Sequence, residues 1–239
     1  MGGPPKFVRF HDLSPATVNV DFQVHTSRTD GEGAVRDVLA AARLRSVNSI
    51  AFTEHVRKDT NWFPQFADEI AAASVDFPEI RIYVGCETKA LDASGSLDVS
   101  DEIYQQCDIV LGSVHRFPNG RGGYLDFRDM SAKETADMEF ELALGMVRGG
   151  RIDVLSHPGG MYERRYGVFP ERYFRELMIE TLKSETAIEI NSSYLVDPDG
   201  FLRLCAEINP IVSIGSDVHK LEEMGRCRDM LRARGIGSS

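Results

Sequence analysis

The stretch IVSIGSDVH, residues 211–219, joins a short apolar run to two metal-binding side chains. Apolar runs of this length that end at a glycine are typical of strands buried in a parallel sheet. Asp217 and His219 follow the run directly, two residues apart, and both residue types bind divalent metals in proteins. The same succession of strand and polar residue recurs along the chain, so this stretch predicts both an architecture and a site.

The rest of the chain alternates between β-rich runs and helical patterns. The runs predict strands at 18–24, 49–53, 80–88, 108–114, 153–156, 187–191 and 211–216. The helical patterns lie at 34–45, 66–74, 133–148, 171–184, 198–207 and 221–234. Strands that alternate with helices form right-handed βαβ units around a parallel sheet. Seven such units in 239 residues, with no internal repeat or linker, predict a single-domain α/β barrel rather than an open sheet.

A capping motif predicts where the first helix begins. Thr29-Asp30-Gly31-Glu32 has the spacing of a capping box, in which side chains satisfy the first free backbone N–H groups of a helix. We therefore expect this segment to lead into the helix over 34–45.

Composition limits the classes of function. The chain has 27 Lys and Arg against 37 Asp and Glu, a net charge of −10, which argues against nucleic-acid binding but allows a local basic pocket for a small anion. No apolar run approaches the ~18 residues of a membrane span. The four cysteines are far apart and form no C-x-x-C pair, so we expect free thiols and a reducing, cytoplasmic environment.

Metal-binding residue types cluster at the ends of the predicted strands. Five of the six histidines follow such an end: His25, His55, His115, His157 and His219. Glu87 and Asp217 also stand at strand ends. The C-terminal strand ends of a parallel barrel converge on one mouth, so residues almost 200 positions apart become neighbours. Each could be a hydrogen-bonded core residue, but together they are the ligand set of a divalent metal cluster.

These residues form an ordered series of motifs. In chain order they read Gln23-x-His25, Thr29-Asp30-Gly31, Thr53-Glu54-His55, Glu87, Gly112-Ser113-x-His115, Ser156-His157-Pro158 and Gly215-Ser216-Asp217-x-His219. The series resembles the PHP superfamily, the polymerase and histidinol phosphatase family of metal-dependent phosphoesterases, over about residues 18–234. The resemblance implies one PHP domain over 1–239 with a distorted, TIM-like (β/α)7 barrel and two or three zinc, manganese or iron ions. It also implies hydrolysis of a phosphate ester by a metal-bound hydroxide at the barrel mouth.

The resemblance assigns residues to three metal sites. The first metal would take His25, Glu87 and Asp217; the second Glu87, His115 and His157; the third Asp30, His55 and His219. Glu87, Asp217 and His219 are the expected catalytic residues. Gln23 stands where the family has the first histidine of strand one, and we expect its amide to be a weaker ligand of the first metal. Glu54 replaces the usual Asp before His55.

Polar side chains near the same strand ends are expected to bind substrate. Arg57, Arg116 and Arg164 each follow a predicted ligand, and arginine can grip a phosphate with two parallel hydrogen bonds. Asn191 ends the sixth strand and is expected to supply a further polar contact. The expected partner is a small phosphorylated metabolite, with no role for nucleic acid or membrane.

Alternative functions remain open. The retained ligands favour a phosphatase or phosphodiesterase, whereas Gln23 favours a PHP-like metal-binding domain with weakened catalysis and a regulatory or scaffolding role. A metal-dependent amidohydrolase also uses strand-end histidines and aspartate, but Glu87 stands where that superfamily would carry a lysine or histidine. The negative net charge disfavours a nuclease.

Overall fold

Strands and helices alternate over residues 4–238, the part of the chain that the computed structural model describes. The strands are β1 (Val8–Arg9), β2 (Val20–Val24), β3 (Ser49–His55), β4 (Arg81–Lys89), β5 (Ile109–Ser113), β6 (Phe117–Pro118), β7 (Tyr124–Leu125), β8 (Val154–Leu155), β9 (Ala187–Asn191) and β10 (Ile211–Gly215). The helices are α1 (Val35–Leu44), α2 (Phe63–Ser74), α3 (Asp101–Gln106), α4 (Ala132–Gly149), α5 (Gly160–Tyr166), α6 (Glu171–Ser184), α7 (Pro198–Ile208) and α8 (Arg226–Arg232).

The main sheet closes into an irregular barrel. Its strand order is β1-β10-β9-β8-β5-β4-β3-β2, and every neighbouring pair is parallel except β1 with β10. The barrel closes between β2 and β10, because Val24, at the end of β2, forms a parallel bridge with Val218, beyond β10. The His25 backbone N–H donates to the Val218 carbonyl at 2.9 Å, and the Val218 N–H donates to the Gln23 carbonyl at 3.0 Å. Seven parallel strands thus enclose one interior, and the predicted fold class is confirmed.

The helices cover the outside of the barrel with amphipathic faces. α1 buries Val35, Val38, Leu39 and Ala42, which share one face of a helix with 3.6 residues per turn. β2, β5 and β9 are buried along their whole length, as expected for parallel strands with helices outside and side chains packed inside. Within residues 4–238, no helix has both the length and the apolar character that a membrane crossing needs.

The predicted strands are all present, with ends that shift by at most two residues. The patterns do not predict β1, α3, α5 or the β6–β7 hairpin. α5 is missed because it begins in a Gly-Gly pair that is typical of a turn. The helix predicted over 221–234 is wrong in its first part: Gly225 adopts a φ of 74°, so a short 3-10 turn, Leu221–Glu223, precedes α8.

The capping motif is wrong about the start of α1. The helix begins at Val35, where the Asp37 carboxylate accepts a hydrogen bond from the Ala34 backbone N–H at 3.0 Å. The Thr29 hydroxyl donates instead to Glu54. Thr29 therefore belongs to the turn beside the strand ends rather than to the helix.

A buried carboxylate, Asp21, ties the first strand of the barrel to the last. Its two oxygens accept hydrogen bonds from the backbone N–H groups of Ser216 at 2.8 Å and Gly225 at 2.9 Å. Burial raises the pKa of Asp21 to about 6, against the lowering effect of these hydrogen bonds. The ionised carboxylate is therefore less favourable in the folded barrel than in the unfolded chain.

This shift predicts how stability depends on pH. An aspartate ionises near pH 4 in the unfolded chain and near pH 6 in the barrel. The free energy of unfolding of the wild type, relative to Asp21→Asn, should therefore fall as the pH rises from about 4 to 6 and then stay level. Urea denaturation of both proteins in chelator, from pH 4.5 to 7, measures this difference.

The exposed Asp59 provides a control: Asp59→Asn, measured over the same pH range, shows how much of the change comes from removing any surface carboxylate. A wild type that gains stability over Asp21→Asn with rising pH would contradict the prediction, because the hydrogen bonds would then dominate over burial.

Candidate metal centre

The carboxyl ends of the parallel strands carry a cluster of acidic and imidazole side chains. A cavity of about 170 Å³ opens there, and its walls include seven predicted ligands: Asp30, His55, Glu87, His115, His157, Asp217 and His219. His25 is buried against them, with its Nε2 3.2 Å from Asp217 Oδ1. Residues far apart in sequence thus lie together at the barrel mouth.

Glu87 lies at the centre of the cluster. Its Oε1 is 2.8 Å from His157 Nε2 and 3.1 Å from His115 Nε2. Its Oε2 is 3.1 Å from His55 Nδ1 and 3.4 Å from His25 Nε2. Each oxygen faces a different pair of rings, an arrangement in which one carboxylate can serve two cations.

A second carboxylate, Asp30, faces the outer side of the cluster and is half exposed. Its Oδ2 is 3.2 Å from His55 Nε2, and its Oδ1 is 3.4 Å from His219 Nε2 and 4.0 Å from His25 Nδ1. His55 therefore joins the two groups, with one ring nitrogen towards Glu87 and the other towards Asp30. Because His55 faces two carboxylates and His25 faces three, the division of ligands among three metals stays a prediction.

Several polar atoms of the cluster are buried without a hydrogen-bond partner among residues 4–238. They are both ring nitrogens of His25 and Oε2 of Glu87. Leaving a buried polar atom unpaired costs about 1–3 kcal/mol, so such atoms in a native protein need an explanation such as a bound ion. Imidazole nitrogen and carboxylate oxygen are donors that suit zinc, manganese and iron alike. The residues therefore fit a divalent metal.

Glu87 raises the pKa of two of the rings around it. Burial disfavours the imidazolium of His55 and of His157, but the adjacent Glu87 carboxylate outweighs it and raises both pKa values to about 9, whereas burial lowers the pKa of His115. Burial would raise the pKa of Glu87, yet the surrounding imidazoles hold it well below its usual range. Because a metal binds neutral imidazole, metal binding must displace these protons, and the affinity for metal should fall as the pH falls.

Buried carboxylates outside the cluster hold the turns that carry ligands. Glu189, on β9, accepts hydrogen bonds from the His157 backbone N–H at 2.7 Å and from Ser156 Oγ at 3.1 Å. His157 and Asp217 have φ angles of 28° and 51°, and such conformations cost non-glycine residues about 1–3 kcal/mol. Acceptors fixed behind these turns, Glu189 for the first and Asp21 for the second, help to stabilise the strained backbone.

Glu54 has the corresponding role for the turn that carries Asp30. Its Oε1 accepts from the Thr26 backbone N–H at 2.7 Å and from Thr26 Oγ1 at 2.5 Å. Its Oε2 accepts from the hydroxyl of Thr29, the residue directly before Asp30. Glu54 therefore orients the outer carboxylate of the cluster without itself facing the cavity.

Gln23 and Asn191 lie inside the barrel and contact each other. Asn191 Nδ2 donates to Gln23 Oε1 at 2.8 Å and to Glu189 Oε2 at 3.1 Å, and Asn191 Oδ1 accepts from the Ser193 N–H at 2.8 Å. Neither residue lines the ligand cavity. The amide oxygen of Gln23, the atom expected to bind metal, is engaged by Asn191. This geometry does not support a ligand role for Gln23 or a substrate contact for Asn191, and both stay predictions.

The three arginines expected to bind substrate surround the cavities at the mouth. Arg164, on α5, lines the ligand cavity and donates to the Tyr194 hydroxyl at 2.5 Å. Tyr194 stacks on the His157 ring, with centroids 4.3 Å apart. Arg57 and Arg116 line a second, larger cavity that shares three of the ligands with the first.

Sequence reasoning missed Glu139 and Tyr194. Glu139, on α4, accepts hydrogen bonds from the backbone N–H groups of Met161 at 2.9 Å and Tyr162 at 2.8 Å, so it fixes the first turn of the helix that carries Arg164. An acidic residue on the buried face of an amphipathic helix was a usable signal for Glu139, because a buried carboxylate needs donors. Tyr194 lies in a loop, and its sequence context gave no signal.

The hydrogen bonds of Glu54 predict an indirect effect on metal binding. We expect Glu54→Ala to weaken the metal held by Asp30 by about 10- to 100-fold, the range for residues that orient ligands. Glu54→Gln keeps most of the hydrogen bonds and should retain most of the affinity. Element analysis after stepwise dialysis against a chelator measures both. The control is Glu32→Ala, an exposed residue of the same loop. Equal metal loss in Glu54→Ala and Glu32→Ala would refute the positioning role.

Comparison with known proteins gives relatives over most of the chain. A curated protein of Syntrophotalea carbinolica (strain DSM 2380 / NBRC 103641 / GraBd1), named "Probable phosphatase", is 25% identical over 236 residues, which is 93% of this chain and 90% of that protein. The DNA polymerase/3'-5' exonuclease PolX of Bacillus subtilis (strain 168) is 28% identical over 181 residues, which is 72% of this chain but 29% of PolX.

A solved structure shares the fold. The crystal structure of a candidate histidinol phosphatase, hisK, from Listeria monocytogenes has a TM-score of 0.64 at 18% identity, covering 88% of this chain and 99% of that one. The family model described as the PHP domain matches residues 21–193, more than half of the length of the chain. The resemblance drawn from the strand-end motifs is thereby confirmed, and the chain belongs to the PHP domain family.

Proposed function

We propose that this protein is a metal-dependent phosphatase that hydrolyses small phosphate esters at the mouth of its barrel. The observation that carries the proposal is the Glu87 carboxylate, which is buried among four imidazoles on the wall of an open cavity. The relatives named as phosphatases support a hydrolase of this class. Two or three divalent cations in such a site supply a water of lowered pKa and offset the charge of the phosphate.

The side chains around the cavity have different roles. Glu87 and the histidines hold the cations, and Arg164 adds a positive charge on the wall of the same cavity, where a phosphate oxygen can accept from its guanidinium. The hydroxyl of Tyr194, which accepts a hydrogen bond from Arg164, fixes the guanidinium in place. Arg164 therefore orients the reacting phosphate rather than joining the bond changes.

His219 serves better as a ligand than as a proton donor. Its Nδ1 is 3.0 Å from the Asp217 carbonyl oxygen, so Nδ1 carries the proton and donates it to that carbonyl. The lone pair then resides on Nε2, which is directed towards Asp30. Asp217 Oδ1 faces His25 in the same way that Asp30 faces His219, so Asp217, like His219, fits a ligand role better than a role in proton transfer.

A second function, a metal-binding domain with weakened catalysis and a regulatory role, is favoured by Gln23 alone. The side-chain oxygen of Gln23 accepts from Asn191 inside the barrel, and this favours weaker binding of the first metal. His25, Glu87 and Asp217 still provide three protein ligands, and three ligands with an open place is the pattern of catalytic rather than structural zinc. The enzyme therefore remains the better proposal.

The experiment that tests the function is element analysis of the purified protein, followed by assays with zinc, manganese or iron restored. The assay panel contains phosphate monoesters, a phosphodiester, a single-stranded oligonucleotide and an amide. Turnover of monoesters that depends on metal supports the proposal. Bound metal without turnover of any compound supports the regulatory function, and turnover of the amide alone supports an amidohydrolase.

Glu87 should be the most sensitive single position. Glu87→Gln keeps the size of the side chain but removes the negative charge shared by two groups of ligands. We expect loss of bound metal and at least about a 100-fold fall in kcat/KM, because even changes behind the ligands cost about 10–100-fold. Element analysis and kinetics check both effects, with the exposed Glu222→Gln as the matched control. Wild-type metal content in Glu87→Gln would contradict the central role of this carboxylate.

A further inference from the structure

The larger cavity at the mouth has room for much more than a phosphate. Its volume is about 700 Å³, against about 170 Å³ for the ligand cavity, and it shares His55, Glu87 and His115 with that cavity. A substrate whose phosphate lies at the shared ligands would therefore extend its leaving group into the larger space, which we call the outer cavity.

The outer cavity has two arginines that do not line the ligand cavity. Arg164 lines both cavities, whereas Arg57 and Arg116 line only the outer cavity. Over residues 4–238, neither of these two arginines has a carboxylate within 4.0 Å. By contrast, two other cations of the outer cavity are paired with carboxylates, Lys89 with Asp98 at 2.8 Å and Arg128 with Asp126 at 2.6 Å, and Arg164 donates to the Tyr194 hydroxyl.

Two arginines without a carboxylate partner are unexpected in a chain with an excess of acidic residues. With 37 acidic and 27 basic residues, an arginine on this protein has many potential acidic partners. The charge of Arg57 helps to lower the pKa of the nearby Asp98, but the Asp98 carboxylate is already paired with Lys89. Two unpaired guanidinium groups on the wall of one cavity are suited to an anion from solution, which each can bind with two hydrogen bonds.

Part of the wall of the outer cavity is apolar. Tyr124 and Leu125, in the β6–β7 hairpin, line the outer cavity and remain 43% and 41% exposed. Phe127 lines it as well. Exposed aromatic and aliphatic side chains beside a polar site are typical of a surface that packs against a ligand.

We propose that the natural substrate is a phosphate monoester whose leaving group carries a second anionic group, a carboxylate or a phosphate, on an apolar spacer. The second anion binds Arg57 and Arg116, and the spacer packs against the hairpin. This inference rests on the proposed phosphatase activity and adds the class of substrate to it.

The test compares three esters with one leaving-group skeleton. Benzyl phosphate has no second anion, 4-carboxybenzyl phosphate has a carboxylate, and the bisphosphate of 1,4-benzenedimethanol has a second phosphate. With metal restored, we expect kcat/KM to be about 10- to 100-fold higher for one or both charged esters than for benzyl phosphate, the range for charge-assisted hydrogen bonds. The better of the two identifies the second anion.

Two variants separate the outer cavity from nonspecific charge effects. In the double variant Arg57→Gln/Arg116→Gln, the advantage of the charged esters over benzyl phosphate should fall to about twofold or less. Arg121→Gln removes an exposed arginine from the β6–β7 loop that does not line the outer cavity, and it should leave the advantage unchanged. Equal loss in both variants would overturn the proposal, because the effect would then be general attraction of anions.

Binding of the leaving group alone gives a second measurement that does not depend on turnover. Calorimetry should detect 4-(hydroxymethyl)benzoate binding to the wild type, and at least about tenfold weaker binding to the double variant. Hydrolysis of benzyl phosphate with no advantage for a second anion would overturn this inference and leave the phosphatase intact. Failure to hydrolyse any of the three esters would instead count against the proposed phosphatase activity. Preferred hydrolysis of an oligonucleotide would overturn the proposal of a small substrate in favour of a polymeric one.

Discussion

The structure depends on a carboxylate, Glu87, that is buried at the end of β4 and surrounded by imidazole rings. A carboxylate at this depth needs positive charge beside it, because burial without a partner costs several kcal/mol. Protons on His55 and His157 can supply that charge, and so can divalent cations. The convergence of parallel strands brings the rings to Glu87, so the architecture and the chemistry of the site have a single origin.

The sequence predicted most of this arrangement. The positions of candidate ligands such as His25 and Asp217 were predictable because the C-terminal ends of parallel strands must meet, whatever the loops do. The direction of a single side chain was less predictable: Gln23 and Asn191 stand at the right strand positions but contact each other inside the barrel. A hydrogen bond between two distant strands leaves no periodic pattern in the sequence. The convergence of strand ends therefore predicted the position of His25 at the mouth but not the contact of Gln23 with Asn191.

Acidic residues form two layers around the mouth. Glu87, Asp30 and Asp217 face the rings, whereas Glu54 and Glu189 accept hydrogen bonds from the turns behind them. In the sequence, the second layer appeared only as acidic residues inside apolar strands, and their hydrogen-bond donors could not be predicted. Its consequence is that the turns beside Asp30 and His157 are held from behind, and the ring of His157, a residue with a positive φ, is directed at Glu87.

The seam between β2 and β10 joins the beginning of the chain to its end, through the bridge of Val24 with Val218. His25 lies on one side of this seam, and Asp217 and His219 lie on the other. A ribosome makes the chain from the first side to the second, so the nascent polypeptide presents His25, His55 and Glu87 long before their last partners exist. The cluster of candidate ligands becomes complete only when residue 219 has left the exit tunnel. The seam therefore couples completion of the candidate metal centre to closure of the barrel.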